Sequence, residues 1–196
     1  MNSISLRKVV TISALSLAFS SLGSRAYAIN EYFSGGFSPA SGTAGRILYQ
    51  VPEASLGTQQ YYTTFVKPGA DAWNGITYKI SISSNLSGTY NIRSKVRTGS
   101  DPNTAGLTVP YCAAGTGTQC LNSQWNSAEV IGYNNVMDNA NFTATNKLQV
   151  WTHEFGHSLS LAHVTETSLA TMWPYVPSNL GVQTRDRQNL IAKWGN

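Results

Sequence analysis

Histidine, cysteine and charged residues are all scarce in this chain. Charged residues make up 11% of its 196 residues, against about 25% in an average domain. So low a charge argues against an intrinsically disordered chain, which stays open by net charge, and against a coiled coil. Hydrophobic residues make up 41%. The composition therefore predicts one globular domain of ordinary size with a sizeable core.

A basic surface for nucleic acid is also lacking. The 13 Lys and Arg residues against 9 Asp and Glu residues give a net charge of +4. Three of the basic residues, Arg7, Lys8 and Arg25, lie in the first 28 residues, and without them the net charge falls to +1. The positive charge is therefore concentrated in the leader, and no nucleic-acid partner is expected.

Long apolar runs are absent after the first 28 residues. Within those residues, Arg7 and Lys8 precede the apolar, serine-rich run Val9–Leu22, and Ala26–Ala28 has the small-x-small pattern of a cleavage site. The run is too short to cross about 30 Å of hydrocarbon as a helix. The sequence predicts a signal peptide over residues 1–28, a secreted extracellular protein, and no stable membrane insertion.

The chain has two cysteines, Cys112 and Cys120, which both follow the predicted leader. An even number of cysteines in an oxidising compartment favours a disulfide bond between them. Two buried free thiols are the alternative. Zinc binding by this pair is less favoured, because neither a histidine nor a third cysteine lies nearby in sequence.

The order of predicted elements indicates an α+β domain with a mixed sheet. Strand-like runs cover residues 46–51, 76–82, 89–96, 106–112 and 128–134. Helical spacing covers residues 59–74, 144–159 and 184–194. Pro68 and Gly69 should kink or split the first helix. Pro110 places its strand at the edge of the sheet.

The most informative segment is "VWTHEFGHSLSLAH", residues 150–163, which contains all three histidines of the chain. His153 and His157 are four residues apart, so on a helix both imidazoles can reach one metal ion. Glu154 then lies beside a metal-bound water. Its carboxylate can accept the proton of that water as the water attacks a carbonyl, and then deliver it to the leaving amine.

His163 is predicted to be the third ligand. On a continuous helix it would point about 240° away from His157, so the helix must end near Ser160 and the chain must turn back. Three neutral imidazoles with one open position are typical of a catalytic zinc site rather than a structural one. Imidazole also suits copper, nickel and iron, so zinc is inferred from the motif and the chemistry.

The segment "HEFGHSLSLAH" resembles the extended zinc motif HExxHxxGxxH of metzincin metalloproteases. The run "SLATMWPYVP", residues 168–177, is similar to the Met-turn of matrixin-type catalytic domains. The resemblance implies that Met172 lies beneath the metal and that Pro174 forms a wall of the specificity pocket, which Tyr175 also lines. It extends as a pattern over residues 46–195, with specific motifs over residues 150–177.

The resemblance implies a metzincin-like fold for residues 29–196, which would form the metalloprotease catalytic domain. That fold has a mixed five-stranded sheet, an active-site helix, a second backing helix and a C-terminal helix. Ser160 stands where the family usually has glycine. The cysteine switch of matrixins is missing, no histidine remains for a second zinc, and the few acidic residues leave calcium binding undecided.

The sequence thus predicts a secreted, monomeric zinc endopeptidase that acts on polypeptides in extended conformation. Residues 106–112 would form the upper edge of its cleft, where a substrate strand could add by backbone hydrogen bonds. Two alternatives stay open. One is a secreted binding or adhesion module that keeps a metal without useful turnover, and the other is a zinc amidase that acts on a non-protein amide.

Overall fold

The computed structural model of the chain describes residues 31–38, 46–50, 59–85, 90–176 and 181–196. The predicted leader, residues 1–28, lies outside the described residues, and so does Pro177 at the end of the predicted specificity segment. No helix of the described residues is long and apolar enough to cross a bilayer.

A mixed sheet forms the centre of the domain. The strands are β1 (Gly36–Phe37), β2 (Arg46–Gln50), β3 (Ser81–Asn85), β4 (Ile92–Arg97), β5 (Gly106–Cys112), β6 (Gly115–Thr116), β7 (Gln124–Trp125) and β8 (Ser127–Tyr133). The main sheet has the order β3-β2-β4-β8-β5-β6, and β1 pairs separately with β7. Its first four strands run parallel and β5 runs antiparallel to β8. The five longer strands are the predicted five-stranded sheet, and β6 extends it by two residues.

The helices lie where the sequence predicts them, and two short ones are additional, a helix at Asn134–Asn139 and a 3-10 helix at Gly117–Cys120. They are α1 (Gln59–Tyr61), α2 (Lys67–Asp71), α3 (Asn134–Asn139), α4 (Ala144–Ser158) and α5 (Thr184–Trp194). A π-helical segment, Tyr62–Val66, joins α1 to α2. The predicted irregularity at Pro68 takes this form: the amide of Lys67 bonds five residues back to Tyr62, just before the proline that has no amide hydrogen to donate.

The predicted strand over residues 76–82 is wrong for its first five residues. Residues 76–80 form turns, and β3 begins at Ser81. Ile76 and Ile80 are buried in the core, so their spacing reflects packing of a turn rather than a strand face. The side-chain nitrogen of Asn74 donates to Ile82 O at 2.9 Å, and its side-chain oxygen accepts from the amide of Ile82 at 2.7 Å. It thus holds the start of β3 as a neighbouring strand would.

A pair of glycines lets α4 lie unusually close to the sheet. Gly106 on β5 and Gly132 on β8 are directly opposite each other. A Cβ atom at Gly106 would lie 2.7 Å from Cγ of Glu154, and one at Gly132 would lie 2.6 Å from the ring of Trp151. Any side chain at either position would push the helix away from the sheet. The close approach brings Glu154 next to the edge strand β5.

Strand β5 lies at the edge of the five longer strands, as Pro110 predicts. Beyond it, β6 pairs only with Tyr111 and Cys112, so the outer side of Gly106–Pro110 has no strand partner among the described residues. Cys112 and Cys120 form the predicted disulfide bond. This bond closes the loop that follows β5 and fixes it beside the strand.

We expect the purified native protein to contain no thiol that alkylates before reduction, because both cysteines are bonded to each other. Removing the bond should lower the unfolding free energy by less than the roughly 3 kcal/mol given for a fifteen-residue loop, since this loop is shorter. Mass spectrometry of a non-reduced digest tests the pairing. Two alkylated cysteines in the native protein would contradict it.

Candidate metal centre

Helix α4 carries the first two histidines and is capped where it begins. The hydroxyl of Thr143 accepts from the amide of Asn146, and the Asn146 side chain accepts in turn from the amide of Thr143. This capping box satisfies two amides at the start of the helix. The apolar face predicted for α4 packs inward: Trp151, Phe155 and Leu159 are fully buried and Leu148 is half-buried.

Helix α4 ends in a left-handed turn at Ser160, whose φ is +70°. The amide of Ser160 bonds His157 O at 2.9 Å, and the amide of Leu161 bonds Gly156 O at 3.2 Å. These two bonds form a Schellman motif, in which the left-handed position is usually glycine. The sequence prediction that the helix stops here, at a residue other than glycine, is confirmed.

The first described segment, residues 31–38, forms backbone hydrogen bonds to the chain that follows the turn. Phe33 donates its amide to Ser160 O at 2.7 Å, and Ala162 donates its amide to Glu31 O at 2.9 Å. Two residues further on, Val164 donates to Met172 O at 2.9 Å. The residue between Ala162 and Val164 is His163, so its backbone is fixed from both sides.

The three histidines meet at one point. Their ligand nitrogens all lie within 4.8 Å of one another, and Nε2 of His157 lies 3.2 Å from Nε2 of His163. Two nitrogens bound tetrahedrally to zinc at 2.0–2.1 Å would be about 3.4 Å apart. The distance between His157 and His163 is close to this value, and the group of three can therefore hold a metal ion.

Backbone carbonyls orient two of the imidazoles. His153 Nδ1 lies 2.8 Å from Thr171 O, and His157 Nδ1 lies 2.8 Å from Leu161 O. A carbonyl only accepts, so each Nδ1 carries the hydrogen and each Nε2 keeps its lone pair. Nε2 of His153 is buried without a hydrogen-bond partner among the described residues. A buried nitrogen lone pair that lacks a partner suits a metal ligand.

Burial keeps these imidazoles neutral. Desolvation lowers the pKa of His153 to about 3 and that of His163 to about 4, and it lowers the pKa of His157 well below its ordinary value. Neighbouring imidazoles add to the effect on His153 and His157. Neutral imidazole is the form that binds metal.

Glu154 lies beside the histidines and is fully buried. Its Oε2 accepts from the hydroxyl of Thr108 on β5 at 2.8 Å, while its Oε1 has no hydrogen-bond partner among the described residues. Desolvation raises the pKa of the carboxyl group to about 8, and the Thr108 hydrogen bond opposes that shift. Thr108 was missed by sequence reasoning, because 46 residues separate it from Glu154.

Met172 lies against α4 between the two histidine positions. It is fully buried. A Cβ atom at Gly156 would lie only 2.3 Å from its Sδ, so a side chain at Gly156 would clash with Met172. The segment is held by Asp186 of α5, whose carboxylate accepts from the amides of Thr171 and Met172 at 2.7 and 3.0 Å. Thr171 in turn orients His153.

Asp186 was also missed by sequence reasoning, although its place near the start of a helix is a signal for a cap. It closes the capping box of α5 by accepting from the amide of Gln183 at 3.0 Å.

The residues predicted to form a specificity pocket are partly exposed. Pro174 is half-buried and Tyr175 is 40% exposed. The ring of Tyr175 is tilted by 57° relative to that of Trp173, and the ring centroids are 5.9 Å apart. Their place in a specificity pocket stays a prediction.

No protein-family model matches the sequence, and no curated protein matches it. Among solved structures, that of myroilysin matches with a TM-score of 0.50 and 15% sequence identity, over 78% of this chain and 94% of that chain. At such low identity the likeness shows the fold alone. The fold is metzincin-like α+β, with the predicted mixed sheet, a helix that carries two of the histidines, a backing helix and a C-terminal helix.

Replacing Ser160 with glycine should raise the melting temperature of the metal-loaded protein. A left-handed residue with a side chain costs about 1–2 kcal/mol, and the buried Ser160 hydroxyl lacks a hydrogen-bond partner among the described residues. Glycine also loosens the unfolded chain, which offsets part of the gain. Each net kcal/mol should raise the melting temperature by about 2–4 °C in a calorimetric scan.

The matched control is Asn141→Gly. Asn141 has φ +55°, but it is exposed and asparagine tolerates the left-handed region. We expect its melting temperature to change less than that of Ser160→Gly. A melting temperature that falls in zinc-loaded Ser160→Gly would refute strain at this turn.

The protein stripped of metal by a chelator should lose stability as pH falls below about 6.5. Unfolded histidines take up protons there, whereas the folded ones resist until about pH 4 or lower. Each histidine contributes a loss of up to about 1.4 kcal/mol per pH unit. Glu154 acts in the opposite direction between its ordinary pKa and about 8, because the folded carboxyl binds its proton more tightly.

Three histidines outweigh one carboxyl group, so the net stability should fall as the solution is acidified. Denaturant titrations of the chelated protein between pH 7 and pH 5 measure this slope. Glu154→Gln removes the opposing contribution and should make the slope steeper. A stability that is flat or rises over this range would show that the imidazoles are not buried as neutral groups.

Proposed function

We propose that the protein is a secreted zinc-dependent endopeptidase that hydrolyses peptide bonds. The observation that carries the proposal is the meeting of three neutral imidazoles with a buried carboxylate, Glu154, that is not needed as a ligand. A site built only to bind metal has no use for that carboxylate, whose burial is costly. The similarity of the fold to that of myroilysin supports the proposal.

His153, His157 and His163 would hold the zinc ion. When bound, zinc supplies Lewis acidity: it polarises the scissile carbonyl and lowers the pKa of the attacking water. The carbonyls of Thr171 and Leu161 keep two of the rings in the tautomer that ligation needs. Three protein ligands would leave one ligand position for water or substrate, as in catalytic zinc sites.

Glu154 would act first as general base and then as general acid. Its Oε2 is held by Thr108, and Oε1 is available to receive the proton of the attacking water. In the metal-free site, burial raises the pKa of this carboxyl group to about 8. A bound cation would lower that pKa, so that the ionised form is present near neutral pH to accept the proton. The same oxygen then delivers the proton to the leaving amine as the peptide bond breaks.

The outer edge of β5 would bind the substrate backbone. Thr108 connects this strand to Glu154, and the backbone groups on the outer side of Gly106–Pro110 are not paired with another strand of the described residues. An extended polypeptide could add there as a further strand. Pro174 and Tyr175 would line a specificity pocket. The disulfide bond fits an oxidising extracellular location.

Glu154→Gln should keep zinc and lose nearly all peptide hydrolysis, because the amide cannot accept the proton of water. Loss of a general base alone costs about 10²- to 10⁴-fold in rate. His157→Ala should lose both metal and activity. Metal analysis of each purified variant and cleavage of unfolded casein provide the two measurements, with a chelator as the control for metal dependence.

Glu166→Gln makes the same chemical change at a half-exposed position and should leave activity and metal content near the parent values. If zinc-loaded Glu154→Gln cleaves casein near the parent rate, Glu154 is not the general base. If the parent protein binds zinc and cleaves no peptide, the endopeptidase proposal fails. A peptide-library digest separates an endopeptidase from an amidase that acts on a non-protein amide.

A further inference from the structure

A cavity of about 150 Å³ lies next to His157, and neither Met172 nor Pro174 lines it. One wall is the edge strand, through Leu107, Val109 and Pro110. The rear is formed by Leu121 and Trp125, which are 8% and 3% exposed. A cavity of this size is large enough for one benzene ring.

A disulfide bond and a hydrogen bond fix the wall of the cavity in the absence of a ligand. The Cys112–Cys120 disulfide ties the loop behind the cavity to the end of β5. Trp125, on β7 just after that loop, donates its indole nitrogen to Cys120 O at 2.7 Å, which fixes the rear wall. A preformed apolar cavity loses little free energy to reorganisation when an apolar group enters.

The chemistry of the lining selects against charge. Besides the neutral ligand His157, none of the described residues that line the cavity is ionisable, and its polar side chains are the hydroxyls of Thr108 and Thr118. A charged group would lose hydration there without finding a partner of opposite charge. The occupant is therefore apolar, and the volume limits it to one side chain.

The position along β5 determines which part of a substrate enters. Glu154 contacts the strand at Gly106 and Thr108, whereas the cavity extends along it to Pro110 and the cavity loop is tied to its Cys112 end. Antiparallel pairing is the more stable arrangement for an added strand. A strand that runs antiparallel to β5 has its N-terminal part at the Cys112 end, so the cavity receives a residue before the scissile bond.

We infer that this cavity is a second specificity subsite, which binds an aromatic or branched aliphatic side chain of the polypeptide substrate on the N-terminal side of the cleaved bond. The inference rests on the proposed endopeptidase function and adds to it a substrate preference. It is separate from the predicted specificity pocket, because neither Pro174 nor Tyr175 lines this cavity.

The test uses internally quenched peptides that differ only at the three positions before the scissile bond, where each carries Phe, Leu, Gly or Asp in turn. With zinc-loaded protein, kcat/KM should be at least about 10-fold higher for Phe or Leu than for Gly at one of these positions. Asp at that position should be the poorest substrate. Equal kcat/KM values at all three positions would overturn the inference.

A pair of matched variants locates the effect. Thr118 is exposed at the rim of the cavity, so Thr118→Trp should fill the mouth and reduce the Phe-to-Gly ratio toward one. Thr116 is exposed on the same loop and does not line the cavity, so Thr116→Trp should keep the ratio. A thermal melt of each variant checks folding. Ratios that stay unchanged in both variants, or fall equally, would overturn the assignment.

A binding measurement separates this inference from the proposed function. Zinc-loaded Glu154→Gln should bind the Phe peptide at least about 10-fold more tightly than the Gly peptide, and adding Thr118→Trp should remove the difference. If these peptides bind with that preference and the parent cleaves none of them, the endopeptidase proposal fails and the subsite stands. If the parent cleaves peptides without any such preference, the subsite is wrong and the endopeptidase proposal stands.

Discussion

The left-handed turn at Ser160 is the constraint on which the metal centre depends. One helix can supply two ligands four residues apart, but a third ligand six residues later would point to another side of the same helix. The Schellman bonds at Ser160 end α4 and reverse the chain, and the segment that contains Phe33 holds the reversed chain in place. Gly36 makes room for this arrangement, because a Cβ atom there would lie 2.3 Å from Oγ of Ser160.

A second layer of polar contacts fixes what the turn brings together. Asp186 holds the backbone of Thr171 and Met172, and Thr171 orients His153. Glu31 accepts from the side chains of Arg185 and Asn189 at 3.0 and 3.1 Å, which ties the N-terminal segment to α5. The C-terminal helix thus acts on the centre through backbone segments, although it contributes no ligand to the group of three histidines.

The centre is costly to bury in the absence of metal. Three imidazoles and a carboxylate are removed from water, and two of their polar atoms find no hydrogen-bond partner among the described residues. The shifted pKa values of the histidines and Glu154 are the measure of this cost. A metal ion that binds the folded chain offsets it, because ligation satisfies the lone pairs and adds its binding free energy to that of folding.

The sequence by itself determined the features that repeat locally along the backbone. The spacing of His153 and His157 and the limits of α5 and β5 follow from periodicity, and the edge position of β5 follows from Pro110. The structure agrees with each. Only the tertiary structure decided that Thr108 meets Glu154, that Asp186 holds Thr171, and that residues 76–80 turn instead of forming a strand. Local patterns specify the preferred conformation of neighbouring residues, whereas contacts between distant residues depend on how whole elements pack, which no short-range period encodes.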